Sequence, residues 1–149
     1  MNKSVLVVED EAGVRRSLGR MLADRGLRTI EAGNGREAIQ RLTEETPAAI
    51  VIDLLMPVMS GAELLKALRR NPFYRRIPTV VMTGALDSEQ SSVSQVLGVP
   101  VIFKPNLERL PDILLGLIEK SGAVPAVSAA SAMASTTQSP RAGDFDIST

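Results

Sequence analysis

The chain has 149 residues, 17 basic and 17 acidic side chains, and no histidine, cysteine or tryptophan. Those absences exclude a disulfide, a thiol nucleophile, an imidazole base and the usual Cys/His zinc site, so any metal must sit on oxygen ligands. A formal charge of zero argues against nucleic acid as a partner of this chain, and no apolar run reaches the length of a membrane span or a signal-peptide core, so a cytoplasmic protein is expected.

Val5-Leu6-Val7-Val8 is a continuous apolar run, as a strand buried on both faces requires. Val14, Leu18, Met21 and Leu22 then recur at helical spacing, and Gly26 is placed to end that helix. Leu27 to Glu31 reads as a shorter, more polar strand. Asn34 with Glu37 forms a capping-box pattern ahead of Ala38, Ile39 and Leu42. Ala48 to Ile52 is a second buried strand, and Ser60 with Glu63 opens a helix carrying Leu64, Leu65 and Leu68. Pro78 to Met82 and Val101 to Phe103 are further strands, separated by a polar helix from Asp87 through Leu97. Leu110, Ile113, Leu114, Leu117 and Ile118 mark the last amphipathic helix. From Ser121 to Thr149 the chain turns rich in Ala, Ser and Thr, which buries too little apolar area to offset its ordering entropy. The expected organisation is one domain over residues 1–120 and a flexible tail or linker over 121–149, in which Phe145-Asp146-Ile147 is the segment with the character of a short strand.

Five strand–helix units with right-handed crossovers give an α/β fold: a flavodoxin-like, doubly wound (βα)5 with a five-stranded parallel sheet. The polar second strand belongs at an edge, which the order 2-1-3-4-5 provides. In such a sheet, ligands bind beyond the carboxyl ends of the strands. The residues there are Glu9, Asp10 and Glu11 after the first strand, Asp53 after the third, Thr83 after the fourth and Lys104 after the fifth.

Each of these has an ordinary structural explanation when taken alone: helix capping for the acids, a loop acid, a strand end, a solvated cation. Taken together they make a coherent chemistry. Crowded carboxylates repel, and a divalent cation with oxygen ligands relieves them, Mg2+ first and Mn2+ as the alternative. A carboxylate at the mouth of the sheet can act as a nucleophile toward phosphorus, with the cation and a lysine neutralising phosphoryl oxygens.

The ordered set Val7-Val8-Glu9-Asp10-Glu11, Asp53-Leu54-Leu55-Met56-Pro57 with Gly61, Met82-Thr83-Gly84-Ala85 and Phe103-Lys104-Pro105 resembles the response-regulator receiver domains of bacterial two-component signalling, over residues 4–120. The resemblance implies a phosphoryl-accepting switch rather than an enzyme. It implies Asp53 as phosphoacceptor, served by the histidine of a sensor kinase or a histidine phosphotransfer protein. It further implies Mg2+ held by Glu9, Asp10, Asp53 and the main-chain carbonyl of Leu55. Lys104 would pair with the phosphoryl group, and its bond to Pro105 is usually cis in the family. Thr83 would turn toward the phosphoryl group, Gly84 and Ala85 would leave access to it, and Gly61 would serve a turn or close packing near the third helix.

Two positions depart from the family pattern: Val101 stands where an aromatic toggle is common, and Asn106 where Phe is common. The resemblance also points to Val93, Val96, Val99 and the exposed side of residues 107–120 as the face for a downstream partner, and leaves a homodimer open.

The alternatives are a receiver-fold interaction module that works without phosphorylation and, third, a small Mg2+-dependent phosphatase. A haloacid-dehalogenase-like phosphatase needs a second Asp two residues after the nucleophile, where Leu55 stands. Gly33-Asn34-Gly35-Arg36-Glu37-Ala38 formally matches a dinucleotide fingerprint, but it follows the edge strand and leaves Glu9, Asp10, Thr83 and Lys104 without a role.

Overall fold

The structure, a computed structural model, describes residues 3–56, 58–84 and 98–122. The expected helix from Asp87 to Leu97 and the tail after Gly122 lie outside the described residues. Five strands, β1 (Lys3–Val8), β2 (Leu27–Ala32), β3 (Ala49–Asp53), β4 (Thr79–Thr83) and β5 (Val101–Phe103), form one parallel sheet in the order β2-β1-β3-β4-β5. The polar second strand is therefore the edge that its sequence predicts, with Arg28 and Glu31 exposed and Thr29 and Ile30 half-buried. The four described α-helices are α1 (Ala12–Ala23), α2 (Gly35–Glu44), α3 (Gly61–Arg70) and α4 (Leu110–Gly122).

Both faces of the sheet are covered, so alternate residues of one strand enter different cores. Leu6, Val8, Ile50, Ile52 and Val81 pack with α2 and α3. Val5, Val7, Val51, Val80 and Met82 pack with α1 and α4. This division explains why the central strands are apolar at every position rather than at every second one.

The helix starts form as their sequences predict. Asn34 Oδ1 accepts from the Glu37 amide at 2.9 Å, and Glu37 Oε1 accepts from the Gly33 amide at 3.0 Å. Ser60 Oγ accepts from the Glu63 amide at 3.2 Å. The Asn34 and Ser60 contacts satisfy amides that would otherwise lack a partner in the first helical turn, and Glu37 returns a bond to the residue before the cap. Gly26 takes φ +78° just past α1, the left-handed conformation that ends a helix with least strain in glycine. Of the two glycines in the fingerprint-like segment, Gly35 has a packing role: a Cβ there would run into the Met59 side chain.

One expectation about the surface is corrected. Val99 is buried in the core shared with α2 and α3, so it does not belong to an exposed partner face. It stands two residues before β5, where the chain must enter the sheet. Val93 and Val96 lie outside the described residues. The exposed positions of residues 107–120 are largely charged, with Glu108, Arg109, Asp112, Glu119 and Lys120 among them.

Candidate functional site at the carboxyl rim of the sheet

Parallel register brings the predicted residues to one rim. Val8 pairs with Ile52, which sets Glu9 level with Asp53. Thr83 pairs with Phe103, and Lys104 follows directly. Glu9 is fully buried, and its main chain is held from two sides: its amide donates to the Ala32 carbonyl at 3.0 Å, and its carbonyl accepts from Arg15 Nη1 at 2.6 Å. Arg15 is itself fixed by Glu31, with Nε 3.0 Å from Oε1. Asp53, also buried, accepts from the Leu55 amide at 3.3 Å through Oδ1.

Lys104 ties the two buried acids together. Its Nζ donates to Glu9 Oε1 at 2.8 Å and to Asp53 Oδ2 at 3.1 Å. One ammonium against two carboxylates leaves the cluster short of positive charge. Burial pushes the Glu9 carboxyl up to about 8, and the neighbouring Asp53 adds to this, while Lys104 opposes it. Burial alone would lower the lysine, but its hydrogen bonds to Glu9 and Asp53 outweigh that and hold the ammonium above its ordinary value. Lys104 therefore stays charged, and Glu9 is the group that takes up a proton to relieve the repulsion.

The donor set fits a hard divalent cation. Glu9, Asp10 and Asp53 each offer a carboxylate oxygen, and these lie within 4.8 Å of one another. Glu9 Oε2 is buried and meets no donor. An orphaned buried oxygen is costly, and a cation is the kind of partner that would remove the cost. Asp10 is exposed, so the cluster is open to solvent on that side. The neighbouring Glu11 stands at the N-cap of α1, but its side chain makes no capping hydrogen bond.

The remaining predicted residues fall as follows. Thr83 is buried at the end of β4. Leu55 lies on the loop directly after Asp53, with its side chain exposed. Gly84 is exposed, and a Cβ there would meet nothing among the described residues. Ala85 lies outside the described residues, and no cis peptide bond is found among the described ones. Gly61 matters for a reason its spacing only hinted at: a Cβ there would collide with the Asp53 carbonyl oxygen. The start of α3 thus packs against the backbone of the central acid. Arg15 was missed by sequence reasoning altogether, because nothing distinguishes it from the other arginines until the fold brings its guanidinium to Glu9.

A family model described as "Response regulator receiver domain" matches residues 5–115. The chain belongs to that family. It is 35% identical over 94 residues to sporulation initiation phosphotransferase F of Bacillus subtilis, covering 62% of this chain and 74% of that protein. It is 35% identical over 89 residues to the phosphate regulon transcriptional regulatory protein PhoB of Escherichia coli, covering 60% of this chain and 39% of the relative. Against that second relative, then, the chain spans well under half of the length. Among solved structures, it is similar to the chemotaxis protein CheY4 of Vibrio cholerae, with a TM-score of 0.71, 29% identity, and coverage of 78% of this chain and 99% of that one. This is a receiver domain of the two-component signalling class, a family of switches rather than turnover enzymes. None of its described helices is long and apolar enough to cross a membrane.

Proposed function

We propose that the protein is a phosphoryl-accepting switch, modified on Asp53 by a histidine-bearing partner. The observation that carries this reading is the buried Glu9–Lys104–Asp53 cluster with its single shared ammonium. In the reaction, an Asp53 carboxylate oxygen attacks phosphorus. The phosphorus–nitrogen bond of the donor phosphohistidine breaks as the phosphorus–oxygen bond forms, and the released imidazole nitrogen recovers a proton. With no histidine among these 149 residues, the donor imidazole lies outside them, on a sensor kinase or a histidine phosphotransfer protein.

Glu9, Asp10, Asp53 and the Leu55 carbonyl would hold Mg2+, which supplies charge neutralisation for the transferring phosphoryl group. Lys104 already binds Asp53 and is placed to pair with a phosphoryl oxygen. Thr83 is the hydroxyl that would report the modified state. The receiver occupies residues 1–120, and residues 121–149 act as a tail or linker. The name of the Bacillus subtilis relative, a phosphotransferase, is in keeping with a phosphoryl relay.

The test is labelling by a small phosphodonor in the presence of Mg2+. The parent chain is expected to incorporate one phosphoryl group, and Asp53→Asn to incorporate essentially none. Equal labelling of the two would overturn the assignment.

A further inference from the structure

A second concave feature lies at the opposite end of the strands from Asp53. A cavity of about 210 Å3 opens between the end of α3, the start of β4 and the turn before β5. Its walls include the apolar side chains of Leu68, Val99 and Leu117, and three arginines, Arg69, Arg75 and Arg76. Arg75 and Arg76 are exposed and pair with no carboxylate among the described residues, unlike Arg15, Arg25, Arg28 and Arg41. The chain around them is one-sided in charge: Lys66, Arg69, Arg70, Arg75 and Arg76 fall between Glu63 and Asp87 with no acid among them. In a chain of zero net charge, this is a local excess of positive charge beside an apolar cavity.

The same sequence holds a segment of complementary character. Asp144-Phe145-Asp146-Ile147 alternates acid and large apolar residue, in a region that is otherwise rich in Ala, Ser and Thr and holds no other acid or aromatic residue. Leu117 of the cavity wall lies on α4, five positions before Gly122, the last residue of that helix. Residues 123–143 could span up to about 70 Å if extended, so reach is not limiting. We propose that Asp144–Ile147 docks intramolecularly in this cavity, with Phe145 against the apolar wall and Asp144 and Asp146 against Arg75 and Arg76. An aromatic ring buries more area than any other side chain in the segment, and a guanidinium holds a carboxylate by paired, charge-assisted hydrogen bonds. The tail so bound would sit at the far end of β4 and β5 from Thr83 and Lys104, and its docking does not depend on Asp53 chemistry.

The lack of cysteine makes the test direct. A nitroxide on Ser148→Cys in the full chain should broaden the amide signals of Arg75, Arg76, Gly98 and Val99 selectively. The broadening should vanish in Asp144→Lys/Asp146→Lys. It should return when that pair is combined with Arg75→Glu/Arg76→Glu, a charge swap at exposed positions. Broadening that is absent, falls elsewhere, or survives the first charge reversal would overturn the proposal. Selective broadening of an unlabelled isotopic chain mixed with a spin-labelled one would place the segment of a second copy in the cavity, and would overturn intramolecular docking.

Discussion

Glu9 is the residue on which the electrostatics of the site turn. Its carboxyl sits at about 8 instead of 4.5 because it is buried beside another acid and shares one lysine with it. The folded state therefore holds a proton that the unfolded chain releases. A raised acid contributes stability that is fully present below about pH 4.5 and is lost as pH rises toward about 8. In metal-free protein, the denaturant midpoint of the parent should fall across this window relative to that of Glu9→Gln, which cannot ionise. A cation competes with that proton, so Mg2+ affinity should rise over the same window, measured by titration at fixed ionic strength. An affinity flat in pH would mean that Glu9 is not a ligand.

At the scale of elements, the loop from β3 to α3 carries the most constraint. It must leave Asp53 at the rim and start α3 against the same backbone. Gly61→Ala would drive a methyl group into the Asp53 carbonyl, which neither β3 nor α3 can yield without moving. A loss of about 1–3 kcal/mol is expected from such overpacking, with reduced phosphoryl labelling because Asp53 moves with it. Denaturant unfolding and the labelling assay read the two effects separately. Val58 in the same loop takes φ +71° with its side chain exposed, a conformation that a β-branched residue adopts at a cost. Val58→Gly should relieve that strain, against the extra entropy of glycine in the unfolded chain, for a net gain of up to about 1 kcal/mol. A thermal midpoint below that of the parent would show that the loop depends on the valine side chain.

For the whole molecule, the parallel sheet has two ends with different chemistry. The carboxyl rim gathers Glu9, Asp10 and Asp53 around one lysine. The amino end carries an arginine-lined cavity. Burying both faces of the sheet leaves the strand ends as the places where polar groups collect, and β4 and β5 run from one end to the other. Docking of the Asp144–Ile147 segment would give the second end an occupant supplied by the chain itself.

By itself, the sequence determined the sheet order and the identity of the acids, threonine and lysine at the rim. Apolar runs specify buried strands, and the residue after such a run must stand where the strand emerges, so Asp53 and Lys104 were legible without coordinates. Only the tertiary structure decided how these groups share charge. That Lys104 bridges Glu9 and Asp53, that Arg15 secures the Glu9 carbonyl, and that Gly61 touches the backbone of Asp53 depend on distances between residues remote in the chain. The burial of Val99 belongs to the same class, since a lone valine before a short strand carries no periodicity to show which way it faces. Local pattern sets what each segment becomes; proximity and burial, which set pKa and packing, exist only once the segments have met.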